Sequence, residues 1–101
     1  MWVIVFFDLP TDSKQAKRQY TDFRKGLLDD GFAMMQYSVY YRHCASKENA
    51  TVHLERIRKI VPPDGEVRIM QFTDKQFERM EVYFGKRRTQ TEEAPAQLEM
   101  F

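Results

Sequence analysis

The chain has 101 residues and carries 16 Lys and Arg against 15 Asp and Glu, a net charge of +1 that is no nucleic-acid signature by itself; its length fits one domain. No apolar run approaches the ~20 residues of a membrane span, and Asp8 comes too early for a signal peptide, so no membrane association is expected. Cys44 is the only cysteine, which excludes an intrachain disulfide and makes a reducing cytoplasm the expected compartment.

Trp2-Val3-Ile4-Val5-Phe6-Phe7 is apolar without alternation, the pattern of a strand buried on both faces. Asp8 ends this run and a Leu9-Pro10 turn follows. The carboxylate therefore sits at the rim of a core, anchored by the sheet yet able to reach water. An Asp at such a place is either a turn former or a chemical group, and this stretch alone leaves both readings open. Thr11, Asp12 and Ser13 all suit the N-cap of a helix. Ala16, Tyr20, Phe23 and Leu27 then form one helical stripe, with Lys14, Lys17, Arg18, Arg24 and Lys25 on the polar surface. Gly31 suits a left-handed C-terminal cap. Asp29 and Asp30 oppose the helix dipole, and the sequence offers no reason for them.

Phe32 to His43 reads as one extended segment, because Met35, Tyr37, Val39 and Tyr41 alternate with Gln36, Ser38, Tyr40 and Arg42. A second helix starts near Ser46 and repeats the stripe with Ala50, Leu54, Ile57 and Val61. Pro62-Pro63 stops it and Asp64-Gly65 turns the chain. Glu66 to Phe72 is a strand, and Thr73 with Gln76 forms a capping box for a short helix that brings Phe77 and Met80 to the core. Glu81 to Gly85 closes as a short strand. Strands alternating with two matched amphipathic helices define an α/β (α+β) sandwich with both helices on one sheet face.

Residues 1–85 are thus expected to form the domain, and 86–101 a flexible tail, basic and then acidic. Of the 15 acidic residues, Glu92, Glu93 and Glu99 follow Arg88, so residues 1–88 carry 16 basic against 12 acidic groups. Leu98 to Phe101 reads as a docking element or a frayed terminus. His43 and Cys44 are adjacent and would point to opposite sides of a strand, so they would not chelate one metal, and His53 stands alone on its helix. Tyr37, Tyr40 and Tyr41 suit either packing or stacking on bases.

Phe7-Asp8-Leu9-Pro10, the basic helix, and Gly31 followed by Gln36-Tyr37-Ser38-Val39-Tyr40 together resemble the "Cas two" family, the small CRISPR-associated protein of spacer acquisition. The Pro62-Pro63-Asp64-Gly65 turn brings the likeness closest to members from type II systems. It covers about residues 1–85. The resemblance implies a ferredoxin-like β-α-β-β-α-β fold with an extra C-terminal strand, the 32–43 segment split near Gln36-Ser38 into a hairpin, and a homodimer with facing sheets.

It also implies a CRISPR adaptation role: a dimeric scaffold that binds duplex DNA and bridges the partner integrase. A Mg²⁺-dependent endonuclease acting on RNA or DNA, single-stranded RNA included, is implied alongside. Asp8 would be the catalytic residue and metal ligand, with one Mg²⁺ shared between the Asp8 side chains of two subunits. Asp12 falls near a second acidic position of the family, which a helix cap explains equally well. Arg18 matches the family's basic position best. Lys14, Lys17, Arg24, Arg42, Lys86, Arg87 and Arg88 are further candidates for phosphate contact, against the plain reading of a solvated face. A toxin-type ribonuclease of the same fold and a purely structural nucleic-acid-binding dimer are the alternatives.

Overall fold

The computed structural model describes residues 1–95, so Leu98 to Phe101, read as a docking element or a frayed terminus, lie outside the described residues. In chain order come β1 (Trp2–Asp8), α1 (Lys14–Asp29), β2 (Ala33–Gln36), β3 (Val39–His43), α2 (Lys47–Ile60), β4 (Glu66–Phe72), α3 (Asp74–Glu78), β5 (Val82–Phe84) and β6 (Arg87–Thr89). The first four strands form one antiparallel sheet in the order β2-β3-β1-β4, and β5 and β6 form a separate hairpin. The order of elements and strands is that of the expected ferredoxin-like fold. No helix among the described residues is long and apolar enough to cross a membrane.

β1 is central, and its unbroken apolar run feeds two cores. Val3, Val5 and Phe7 point to one face, where Phe23 and Leu27 of α1 and Ala50, Leu54 and Ile57 of α2 cover them. Trp2 and Ile4 point to the other face and pack against Phe77 of α3, with Tyr41, Phe72, Met80 and Ala94 around them. The Trp2 ring stacks on Phe77 at 4.0 Å and on Tyr41 at 5.6 Å. The second face is thus covered only at the Trp2 end. Toward the Asp8 end Phe6 remains 37% exposed, and Met70, opposite Ile4 on the edge strand β4, remains 55% exposed.

Local chemistry sets the boundaries. Ser13, rather than Asp12, caps α1 by accepting a hydrogen bond from the Ala16 backbone at 3.0 Å, which removes the cap role from Asp12. Ser46 caps α2 in the same way, and Thr73 and Gln76 make the reciprocal capping box of α3. The single long strand read from the alternation at 32–43 is corrected to two. Tyr37-Ser38 turns the chain, with Ser38 at φ +62°, and a bulge between Met34 and Gln36 shifts the register. The extended reading failed there because alternation carries no signal for a two-residue turn that lacks glycine.

The expectation that ordered structure ends at Gly85 also needs correction. Gly85, at φ +62°, turns the chain back, and Val82, Tyr83 and Phe84 pair with Thr89, Arg88 and Arg87. The basic knot is therefore part of a hairpin, and Ala94 further on packs beside the Trp2 core.

Candidate active site

Asp8 is the last residue of β1 and lies on the face that α1 and α2 leave uncovered. Antiparallel pairing sets Asp8 opposite Glu66 and Phe6 opposite Arg68 on β4. Residues paired in this way share a face, so the two carboxylates are cross-strand neighbours. On the other side of β1 the Phe7 amide donates to the Ser38 carbonyl at 3.0 Å, which pins the β2–β3 turn beside Asp8. Phe6, Asp8, Tyr37, Ser38, Glu66 and Arg68 line a shallow groove of about 230 Å³.

Within that groove Arg68 Nε donates to Glu66 Oε1 at 2.7 Å. Tyr37 is 80% exposed, and a hydrogen bond with Tyr20 pushes its hydroxyl pKa upward. Ser38 holds a left-handed backbone that costs a non-glycine residue about 1 kcal/mol. Behind Asp8 the chain is equally constrained. Gly65, at φ +88°, lies so close that a Cβ there would meet the Asp8 carbonyl oxygen at 2.8 Å.

Hard oxygen donors, room for water and an exposed setting suit Mg²⁺, which takes one or two carboxylates and keeps several waters. Among the described residues no three His, Cys, Asp or Glu side chains converge to hold a metal ion. The two carboxylates that the register brings together are oxygen donors of the kind such an ion takes.

The basic candidates separate. Lys14, Lys17 and Arg18 are exposed on the first turns of α1, which begins six residues after Asp8. Arg24 is exposed in mid-helix, but its Nε donates to the buried Tyr40 hydroxyl at 2.7 Å. Arg42 is committed elsewhere: its Nη1 donates to the Asp30 carbonyl at the end of α1, and it packs where a Gly31 Cβ would stand. That contact gives Arg42 a structural role at the end of α1. Lys86 and Arg87 are exposed on the β5–β6 hairpin, and Arg88 lines a cleft with Asp74, Glu78, Glu92 and Glu93. Tyr40 is core, Tyr41 is half-buried against Trp2, and Tyr37 alone of the three is largely exposed.

Two constellations escaped the sequence. Glu66 and Arg68 join Asp8 only through strand register, which a linear pattern does not encode. Their spacing of two on one strand was the available signal. Asp30 accepts from His53 Nδ1 and from Arg56 Nη1, each at 2.7 Å, so the unexplained acid and the isolated histidine explain each other.

An antiparallel β2-β3-β1-β4 sheet with two helices on one face, and an acid at the end of its first strand on the other, defines a ferredoxin-like domain with its candidate site on the open face. The chain belongs to the CRISPR associated protein Cas2 family, whose model matches residues 1–80. It is 58% identical over 101 residues to the "CRISPR-associated endoribonuclease Cas2" of Parvibaculum lavamentivorans, spanning all of both chains. The protein of the same name from Flavobacterium psychrophilum is 50% identical over all of this chain and 88% of its own length. The crystal structure of Streptococcus pyogenes Cas2 at pH 6.5 matches with a TM-score of 0.61 at 19% identity, covering 83% of this chain and 100% of that one. That last likeness bears on the fold alone.

Proposed function

We propose that the protein is a Mg²⁺-dependent endoribonuclease whose site forms between two copies of the chain. The observation that carries this reading is the position of Asp8. It is an exposed acid on the sheet face that α1 and α2 leave uncovered and α3 covers only at the Trp2 end, with one neighbouring carboxylate and no third metal donor among the described residues. A two-fold pairing of the open faces brings two Asp8 side chains to one cation. Bound there, Mg²⁺ supplies positive charge to the scissile phosphate and lowers the pKa of a water.

The chain's own residues do the rest. Asp8 holds the cation, and the Phe7–Ser38 hydrogen bond and the Gly65 contact fix the strand end that carries it. Lys14, Lys17 and Arg18 hold the nucleic-acid backbone near this edge, a contact that positions without reading sequence.

The exposure of those same basic residues favours a second role. The dimer serves as a scaffold that binds duplex DNA and bridges the integrase during spacer acquisition. One pair of assays separates the roles. Asp8→Asn should abolish Mg²⁺-dependent cleavage of single-stranded RNA while spacer acquisition with the partner integrase persists. Cleavage by Asp8→Asn at the wild-type rate contradicts the nuclease reading; acquisition unchanged after charge reversal at Lys17 and Arg18 contradicts the scaffold reading.

A further inference from the structure

Asp8 and Glu66 face each other across β1 and β4, and like charges directly opposite in a sheet repel. Arg68 offsets this. It lies two residues along β4 on the same face, and its Nε reaches Glu66 Oε1 at 2.7 Å. The pair is open to water, with the two side chains 75% and 63% exposed, so it is weakly held and easily exchanged. The Arg68 Nη groups make no hydrogen bond within the described residues.

A divalent cation held beside Asp8 would take over the task that Arg68 performs, because its double charge would offset Glu66 more strongly than one guanidinium does. Arg68 would then be released from Glu66 while remaining in the groove with Asp8, Tyr37 and Ser38. A guanidinium fork freed in this way matches a phosphate in a two-pronged geometry.

We propose that Arg68 is the phosphate-binding residue of the Asp8 groove and that Glu66 restrains it until a cation arrives, so that cation and nucleic acid bind cooperatively. This rests on the metal-site reading above. Binding order follows: the cation sets the groove, and the phosphodiester of a single-stranded nucleic acid enters a site already provided with its anion-binding group. Coupling is reciprocal, so nucleic acid tightens cation binding by the same factor.

The test is equilibrium binding of a short single-stranded RNA, read by fluorescence anisotropy with and without Mg²⁺. Wild type, Arg68→Gln and Glu66→Gln are compared, each of them an exposed substitution. Wild type should bind RNA more tightly with Mg²⁺. Arg68→Gln should lose about tenfold of its affinity in Mg²⁺, the size of a lost charged hydrogen bond, and its salt slope should fall by about one. Glu66→Gln should bind more tightly than wild type without Mg²⁺ and show little further gain when it is added.

Unchanged RNA affinity in Arg68→Gln, or weaker binding without Mg²⁺ in Glu66→Gln, overturns the proposal. Failure of the nuclease reading shows separately, as absent cleavage by wild type with its Mg²⁺-linked binding intact.

Discussion

Gly65 adopts φ +88°, and a Cβ there would press on the Asp8 carbonyl oxygen and on Leu9. Only glycine meets both demands, so the turn that enters β4 is built around the strand end that carries the candidate metal ligand. Gly65→Ala should destabilise the fold by about 1–2 kcal/mol, measured as a lower urea midpoint at unchanged slope. An unshifted midpoint would mean that the strand end yields freely. Asp8 itself was legible as the polar end of an apolar strand followed by Leu-Pro. What no residue pattern shows is the register that sets it opposite Glu66, because pairing partners are chosen by the folded sheet. Nor does a residue pattern show that Arg42, at the end of the extended segment, reaches the Asp30 carbonyl through the space that Gly31 leaves.

At the scale of elements, α1 and α2 are tied together by Asp30, His53 and Arg56. Burial pushes the Asp30 carboxyl pKa upward, but hydrogen bonds from His53 and Arg56 outweigh it and hold the group below its ordinary value. A folded pKa below the unfolded one stabilises fully above the unfolded value of about 3.9, and this is lost as pH falls through the lower folded value. Wild type should therefore lose more stability than Asp30→Asn between about pH 5 and about pH 3, read by denaturant titration at each pH. Parallel losses would show that the tether carries no linkage. At neutral pH, Asp30→Ala leaves the buried His53 unpaired and should cost about 1–3 kcal/mol.

On the opposite face α3 closes the second core through Phe77 on Trp2, so Phe77→Ala should cost about 3–5 kcal/mol in the same measurement. The capping box and the stripe spacings made both long helices and α3 readable in advance. Of the hairpin, β5 was legible as the short strand at Glu81 to Gly85, but β6 was not, since a run of Lys86, Arg87 and Arg88 has neither apolar alternation nor β-branched weight.

The whole molecule is asymmetric. α1 and α2 shield one sheet face, while the other is covered by α3 only at the Trp2 end and carries partly exposed Met70 and, in the groove itself, Phe6. In the proposed dimer that surface meets its own copy, and Phe6→Glu should shift the protein toward monomer in light scattering after gel filtration, with its helical circular dichroism preserved. A monomeric wild type at the concentrations used for cleavage would remove the basis for a shared site.

The central claim is that one cation is held by two copies of Asp8, and calorimetric titration with Mg²⁺ counts it directly. The account predicts one ion for every two chains, with binding lost in Asp8→Asn. A stoichiometry of one ion per chain, or unchanged binding in Asp8→Asn, would contradict it.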